Sequence, residues 1–123
     1  MTVQELYTNI GGSYESARRI LPMDKMIAKF VIRFLDDKSF DKLMSSFDAG
    51  DPTGMFEGAH ALKGVCGNLG LTSLSEAASE VAEQFRPGKE RTMDDAALSS
   101  HLTALRENYE KTVEGIRAFA AEQ

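Results

Sequence analysis

Between Pro22 and Ala121 apolar residues recur at helical spacing in four blocks, joined by connectors too short to do anything but turn the chain back on itself. The first block, Pro22–Ala49, carries Met26, Ile27, Phe30, Val31, Phe34 and Leu35, then Phe40, Leu43, Met44 and Phe47. Asp37-Lys38 between the two sets reads as a kink or a break. The second, Pro52–Leu69, carries Met55, Leu62, Val65, Cys66 and Leu69. The third, Ser73–Arg86, carries Leu74, Ala77, Ala78, Val81 and Phe85. The fourth, Asp94–Ala121, has a seam of Leu98, Leu102, Leu105, Tyr109, Val113, Ile116 and Phe119. No segment alternates with the period of a strand. Short links make successive helices antiparallel, so the expected fold is all-α, an antiparallel up-down-up-down four-helix bundle.

Punctuation residues set the element ends. Thr2-x-x-Glu5 is a capping box opening a short helix to Asn9, which Gly11-Gly12 stops. A second short helix spans Ser13–Leu21, with Tyr14, Ala17, Ile20 and Leu21 available for burial. Pro22 suits the first turn of the next helix. Asp51 precedes Pro52 as an N-cap, and Gly50 and Gly70 mark helix ends. Thr72 or Ser73 caps the third block, with Ser73-x-x-Glu76 as a further capping box. Residues 1–123 then form one domain, with the short N-terminal helices over 1–21 and the bundle over 22–121.

Charge and composition remove several classes of function. A net charge of −5, without a basic stripe, leaves nothing to neutralise a phosphate backbone, so no nucleic acid is expected as partner. No apolar run reaches membrane-spanning length and the N-terminus has no signal-peptide pattern, so no membrane contact is expected. The single cysteine, Cys66, excludes an internal disulfide and suits a reducing compartment. The expectation is a cytoplasmic protein, and a monomer. The chain lacks a Gly-x-x-x-x-Gly-Lys phosphate loop, so no ATP site of its own is expected, and it reads as a free-standing module.

The second block carries the chemistry. On the helix face opposite its apolar stripe stand His60, Lys63, Gly64 and Gly67, at the spacing i, i+3, i+4, i+7 that shares one face. Each glycine costs the helix about 1 kcal/mol relative to alanine, so bare space beside the histidine is being kept for a reason. An imidazole that is neutral over part of the physiological range is a nucleophile toward phosphorus. A lysine one turn away offsets part of the charge of the phosphohistidine that results.

The run His60-Ala61-Leu62-Lys63-Gly64-Val65-Cys66-Gly67-Asn68-Leu69-Gly70-Leu71 resembles the signature of histidine-containing phosphotransfer (HPt) domains, the intermediates of multistep two-component phosphorelays. Val65-Cys66 stand where that family often has alanine or serine. The resemblance implies that His60 accepts the phosphoryl group, Lys63 stabilises its charge and Gly64 admits the partner. It implies response-regulator receiver domains and a hybrid sensor histidine kinase as partners. No cofactor is implied on this chain, because the receiver brings Mg²⁺ beside its aspartate. In such domains a polar side chain on the following helix often orients the histidine, and Gln84 is the candidate here. Phe56, Gly67 and Leu71, near the histidine's side of the helix, are candidates for partner contact.

Two other classes are weighed against this one. Glu57-Gly58-Ala59-His60 matches the Glu-x-x-His half of a di-iron site, but Leu98 stands three residues before His101, where the second copy needs a glutamate. A non-phosphorylated regulatory bundle that binds a signalling partner shares the fold without the chemistry, and His60, Lys63 and Gly64 together speak against it.

Overall fold

The computed structural model describes residues 1–123 and is all-helical. Seven helices follow in order: α1 Val3–Ile10, α2 Tyr14–Ile20, α3 Asp24–Arg33, α4 Ser39–Ala49, α5 Pro52–Asn68, α6 Thr72–Gln84 and α7 Asp95–Ala121. The segment Pro22–Ala49 is not one helix. A 3-10 turn at Phe34–Asp36 ends α3, and extended backbone at Asp37 makes a true break before α4. Pro22 lies outside α3, whose N-cap position is Met23.

Several caps form as the sequence requires. Thr2 and Glu5 exchange both bonds of the capping box, and the Asp51 and Asp94 side chains accept from Gly54 and Ala97 backbone N–H groups. Ser73 does not cap α6. The helix starts at Thr72 without a side-chain cap, and the Ser73 hydroxyl instead accepts a hydrogen bond from the Asn108 amide of α7.

The core runs the length of the chain and is largely apolar, from Leu6 and Ile27 to Leu62, Leu105 and Phe119, with Ser46, Gln84 and Thr112 as its buried polar residues. Side-chain pairs give the helix neighbours. Helix α4 meets α5 at Leu43 and Gly58, while α5 meets α6 where Ser75 Oγ donates to the Lys63 carbonyl at 3.0 Å. Helix α6 meets α7 through Glu80–His101 and Ser73–Asn108. Phe40 of α4 stacks on Tyr109 of α7 at 3.9 Å, bringing the first and last of these four helices together.

The two short N-terminal helices hold the end of α5. Tyr7 of α1 is buried, and its hydroxyl donates to the Leu69 carbonyl at 2.5 Å. The Ser13 N–H donates to the Gly70 carbonyl at 2.8 Å. Burial raises the Tyr7 phenol well above its ordinary pKa, which keeps it a proton donor. Tyr7→Phe leaves the Leu69 carbonyl without this partner, and is expected to lower stability by about 1–2 kcal/mol in urea titration. The pH dependence has a definite sign. Because the folded phenol is raised, its contribution is complete below pH 10.0, the ordinary value, and falls at higher pH as the unfolded chain ionises first. The Tyr7→Phe protein should therefore lose less of its stability than wild type between pH 9 and 11.

Candidate functional site

Helix α5 is built with two different faces. Met55, Leu62, Cys66 and Leu69 are buried on one of them. Cys66 is a core residue, and burial pushes its thiol pKa up, away from reactivity. On the opposite face His60 is exposed, Lys63 is half-buried, and Gly64 and Gly67 are exposed. A Cβ added at Gly64 meets nothing within 4 Å, and one at Gly67 meets only Ser75 Oγ, at 3.6 Å. Neither glycine is demanded by the protein's own packing. The bare space beside His60 opens outward.

Charge around the imidazole is sparse. Lys63 takes part in none of the protein's ion pairs, so its ammonium is available to an incoming anion. Glu57, one turn before, is drawn to Lys42 of α4, with 3.7 Å between Oε1 and Nζ. His101, the other histidine, is half-buried with its Nδ1 at 3.1 Å from Glu80 Oε2. No group of three His, Cys, Asp or Glu side chains is placed to hold a metal ion. His60 has one aromatic neighbour, Phe56, whose half-buried ring stacks on the imidazole at 5.3 Å and 19°.

Two expected site residues lie elsewhere. Gln84 is buried and both ends of its amide are engaged, donating to Thr92 Oγ1 at 2.9 Å and accepting from the Thr92 and Met93 backbone N–H groups at 2.9 and 2.8 Å. It ties down the connection from α6 to α7 and does not orient His60. The near contacts of α5 with α6, Lys63 and Gly67 with Ser75, place Gln84 well beyond the level of His60. Leu71 is only 2% exposed and cannot present an apolar surface to a partner. The reason is the helix end: the Leu71 N–H bonds back to the Cys66 carbonyl at 2.9 Å and the Gly70 N–H to the Gly67 carbonyl at 3.3 Å. This Schellman turn, with Gly70 at φ +70°, folds Leu71 over the last turn of α5 and into the core.

The structure also shows an apolar surface that sequence reasoning missed. Ile20, expected to be buried, is 50% exposed, with Met23 at 56% and Met26 at 36% beside it in the chain. A groove of about 590 Å³ runs from Ile20 and Leu21 past Phe30 and Arg33 to Val65, Asn68 and Leu69 of α5. It reaches α5 at Val65, directly after Gly64, and follows that helix to Asn68 and Leu69. Only the join between α2 and α3 could have flagged it, since Pro22 there interrupts the periodicity that assigns faces.

The all-helical fold thus presents an uncovered imidazole and, one turn on, a lysine outside every ion pair. The sequence model of the Hpt domain family matches residues 29–115, from within α3 to within α7, and the chain belongs to that family. No curated protein and no solved structure matches it. Membership carries a phosphotransfer role in two-component signalling, exercised with receiver domains and kinases and without an ATP site in the domain. No helix is long and apolar enough to cross a membrane.

Proposed function

We propose that this chain is a phosphorelay intermediate that takes a phosphoryl group on His60 from a receiver-domain aspartyl phosphate and returns it to another receiver. The observation that carries the reading is the combination on one face of α5: an exposed His60, a Lys63 without an acidic partner and an open Gly64. The unprotonated ring nitrogen attacks phosphorus, the bond from phosphorus to the carboxylate oxygen breaks, and the carboxylate leaves with the electron pair. Run backward, the same step loads the next receiver. Lys63 offsets charge on the phosphoryl oxygens, and Mg²⁺ on the receiver supplies the remainder. The chain itself takes no cofactor. A hybrid sensor histidine kinase lies upstream, and the carrier works as a cytoplasmic monomer.

The scaffold in this reading is one domain over 1–123. Helices α4 to α7 form an up-down-up-down antiparallel bundle, supported by the pairings of Leu43 with Gly58, Glu80 with His101, Ser73 with Asn108 and Phe40 with Tyr109. The receiver covers Gly64 and Gly67, touches Phe56, and extends over the groove onto Ile20, Met23 and Met26.

Gly64→Ala separates stability from transfer. With open space at the added methyl, the variant should be up to about 1 kcal/mol more stable than wild type in urea titration. Receiver-dependent phosphorylation should slow by about tenfold or more, because a methyl pressed into a close-fitting contact costs about 1–3 kcal/mol. The reading as a whole is tested by incubating the chain with receiver domains carrying labelled phosphate. Label should move onto the chain in an acid-labile, base-stable form. Failure to take label from any receiver of the source organism would reject it.

A further inference from the structure

We infer that Phe56 is a positioning residue for the phosphoacceptor, holding the His60 imidazole by stacking rather than by a hydrogen bond; the inference rests on the phosphoacceptor reading of His60. Side chains on a helix lean toward its N-terminus, so His60 leans over the turn that carries Phe56, four residues earlier. The two rings lie 5.3 Å apart and 19° from parallel. On the other side of the imidazole stands Gly64, with nothing to hold it. Gln84, the side chain expected to orient the ring, is committed to Thr92 and Met93. Phe56 is itself half-buried, so its own position is constrained by the fold.

The geometry suits the chemistry. The lone pair that attacks phosphorus lies in the plane of the imidazole, at its edge. A partner stacked on the face restricts the ring while leaving both edge nitrogens uncovered. A hydrogen-bonding orienter, by contrast, occupies one of the two nitrogens. Phe56 therefore limits the rotation of an exposed side chain at no cost in nucleophilic sites. An aromatic pair of this kind favours the stacked rotamer by about two- to tenfold, which sets the expected effect on rate.

The test uses the full chain with two phosphoryl donors, phosphoramidate, which needs no docking, and a phosphorylated receiver domain. Phe56→Leu keeps an apolar side chain but removes the ring face, and Phe56→Tyr restores it. Phe56→Leu should slow His60 phosphorylation by about two- to tenfold with both donors, and Phe56→Tyr should recover the wild-type rate. The His60 ring-proton resonances should be shifted upfield by the Phe56 ring in wild type and Phe56→Tyr, and lose that shift in Phe56→Leu. A Phe56→Leu protein slowed only with the receiver makes Phe56 a docking contact and overturns the inference. Unchanged rates with both donors overturn it as well, while leaving His60 as acceptor. A wild-type chain labelled by neither donor removes the phosphoacceptor reading itself, and this inference with it.

Discussion

Replacing His60 by glutamine is expected to abolish phosphoryl uptake from a phosphorylated receiver while leaving the unfolding midpoint close to that of wild type. The two halves of this result come from separate properties of one position. His60 is exposed on α5, outside the buried stripe of Met55, Leu62, Cys66 and Leu69, so its side chain contributes little to the core. Surface substitutions of this kind change stability by about 0.5 kcal/mol or less. Glutamine offers no basic ring nitrogen, and its amide lone pair is delocalised into the carbonyl, so nothing remains to attack phosphorus. His101 offers no equivalent site, because an acidic side chain, Glu80 of α6, stands 3.1 Å from its ring where His60 has an unpaired lysine one turn away. Label from the receiver and unfolding in urea, measured on the same preparations, check both halves.

Gly58→Val is expected to have the opposite profile, a large loss of stability from a position two residues before the histidine. A Cβ added at Gly58 comes within 2.7 Å of the Leu43 backbone nitrogen and 2.8 Å of the Leu43 Cα. These are backbone atoms of α4, so no rotamer change relieves the contact and the two helices must move apart. Overpacking costs about 1–3 kcal/mol, and a clash with backbone belongs at or above the upper end. For a domain of this size about 3 kcal/mol lowers the thermal midpoint by on the order of 10 °C. Gly64→Ala on the same helix should shift the midpoint the other way. Thermal scans of the two variants side by side show whether the glycines of α5 serve different ends.

That contrast marks what the sequence discloses. Helices were legible because apolar spacing reports which residues can share a buried face, and the Asp51 and Asp94 caps because a short polar side chain before a helix has a local partner. The exposed face with His60, Lys63 and Gly64 followed from the same periodicity. Features that depend on two elements meeting were not legible. Gly58 looks like any helical glycine until α4 is placed against it. Leu71 sits on the histidine's side of an idealised helix, but the turn at Gly70 ends that geometry before Leu71 is reached. Gln84 could be put on the right helix but not at the right level, and its partners Thr92 and Met93 lie in a connection without periodicity. The clasp of Tyr7 and Ser13 on the end of α5 joins residues more than fifty positions apart, with no motif to announce it.

All of these features place one imidazole at the surface with room around it, and the central claim is that this ring carries the phosphoryl group. Mass-spectrometric mapping of the phosphorylated chain under alkaline conditions, with fragmentation that preserves bonds from nitrogen to phosphorus, tests it most directly. The predicted result is a single phosphoryl group on the His60 imidazole. A phosphoryl group on His101, or on an aspartate or serine with His60 unmodified, contradicts it.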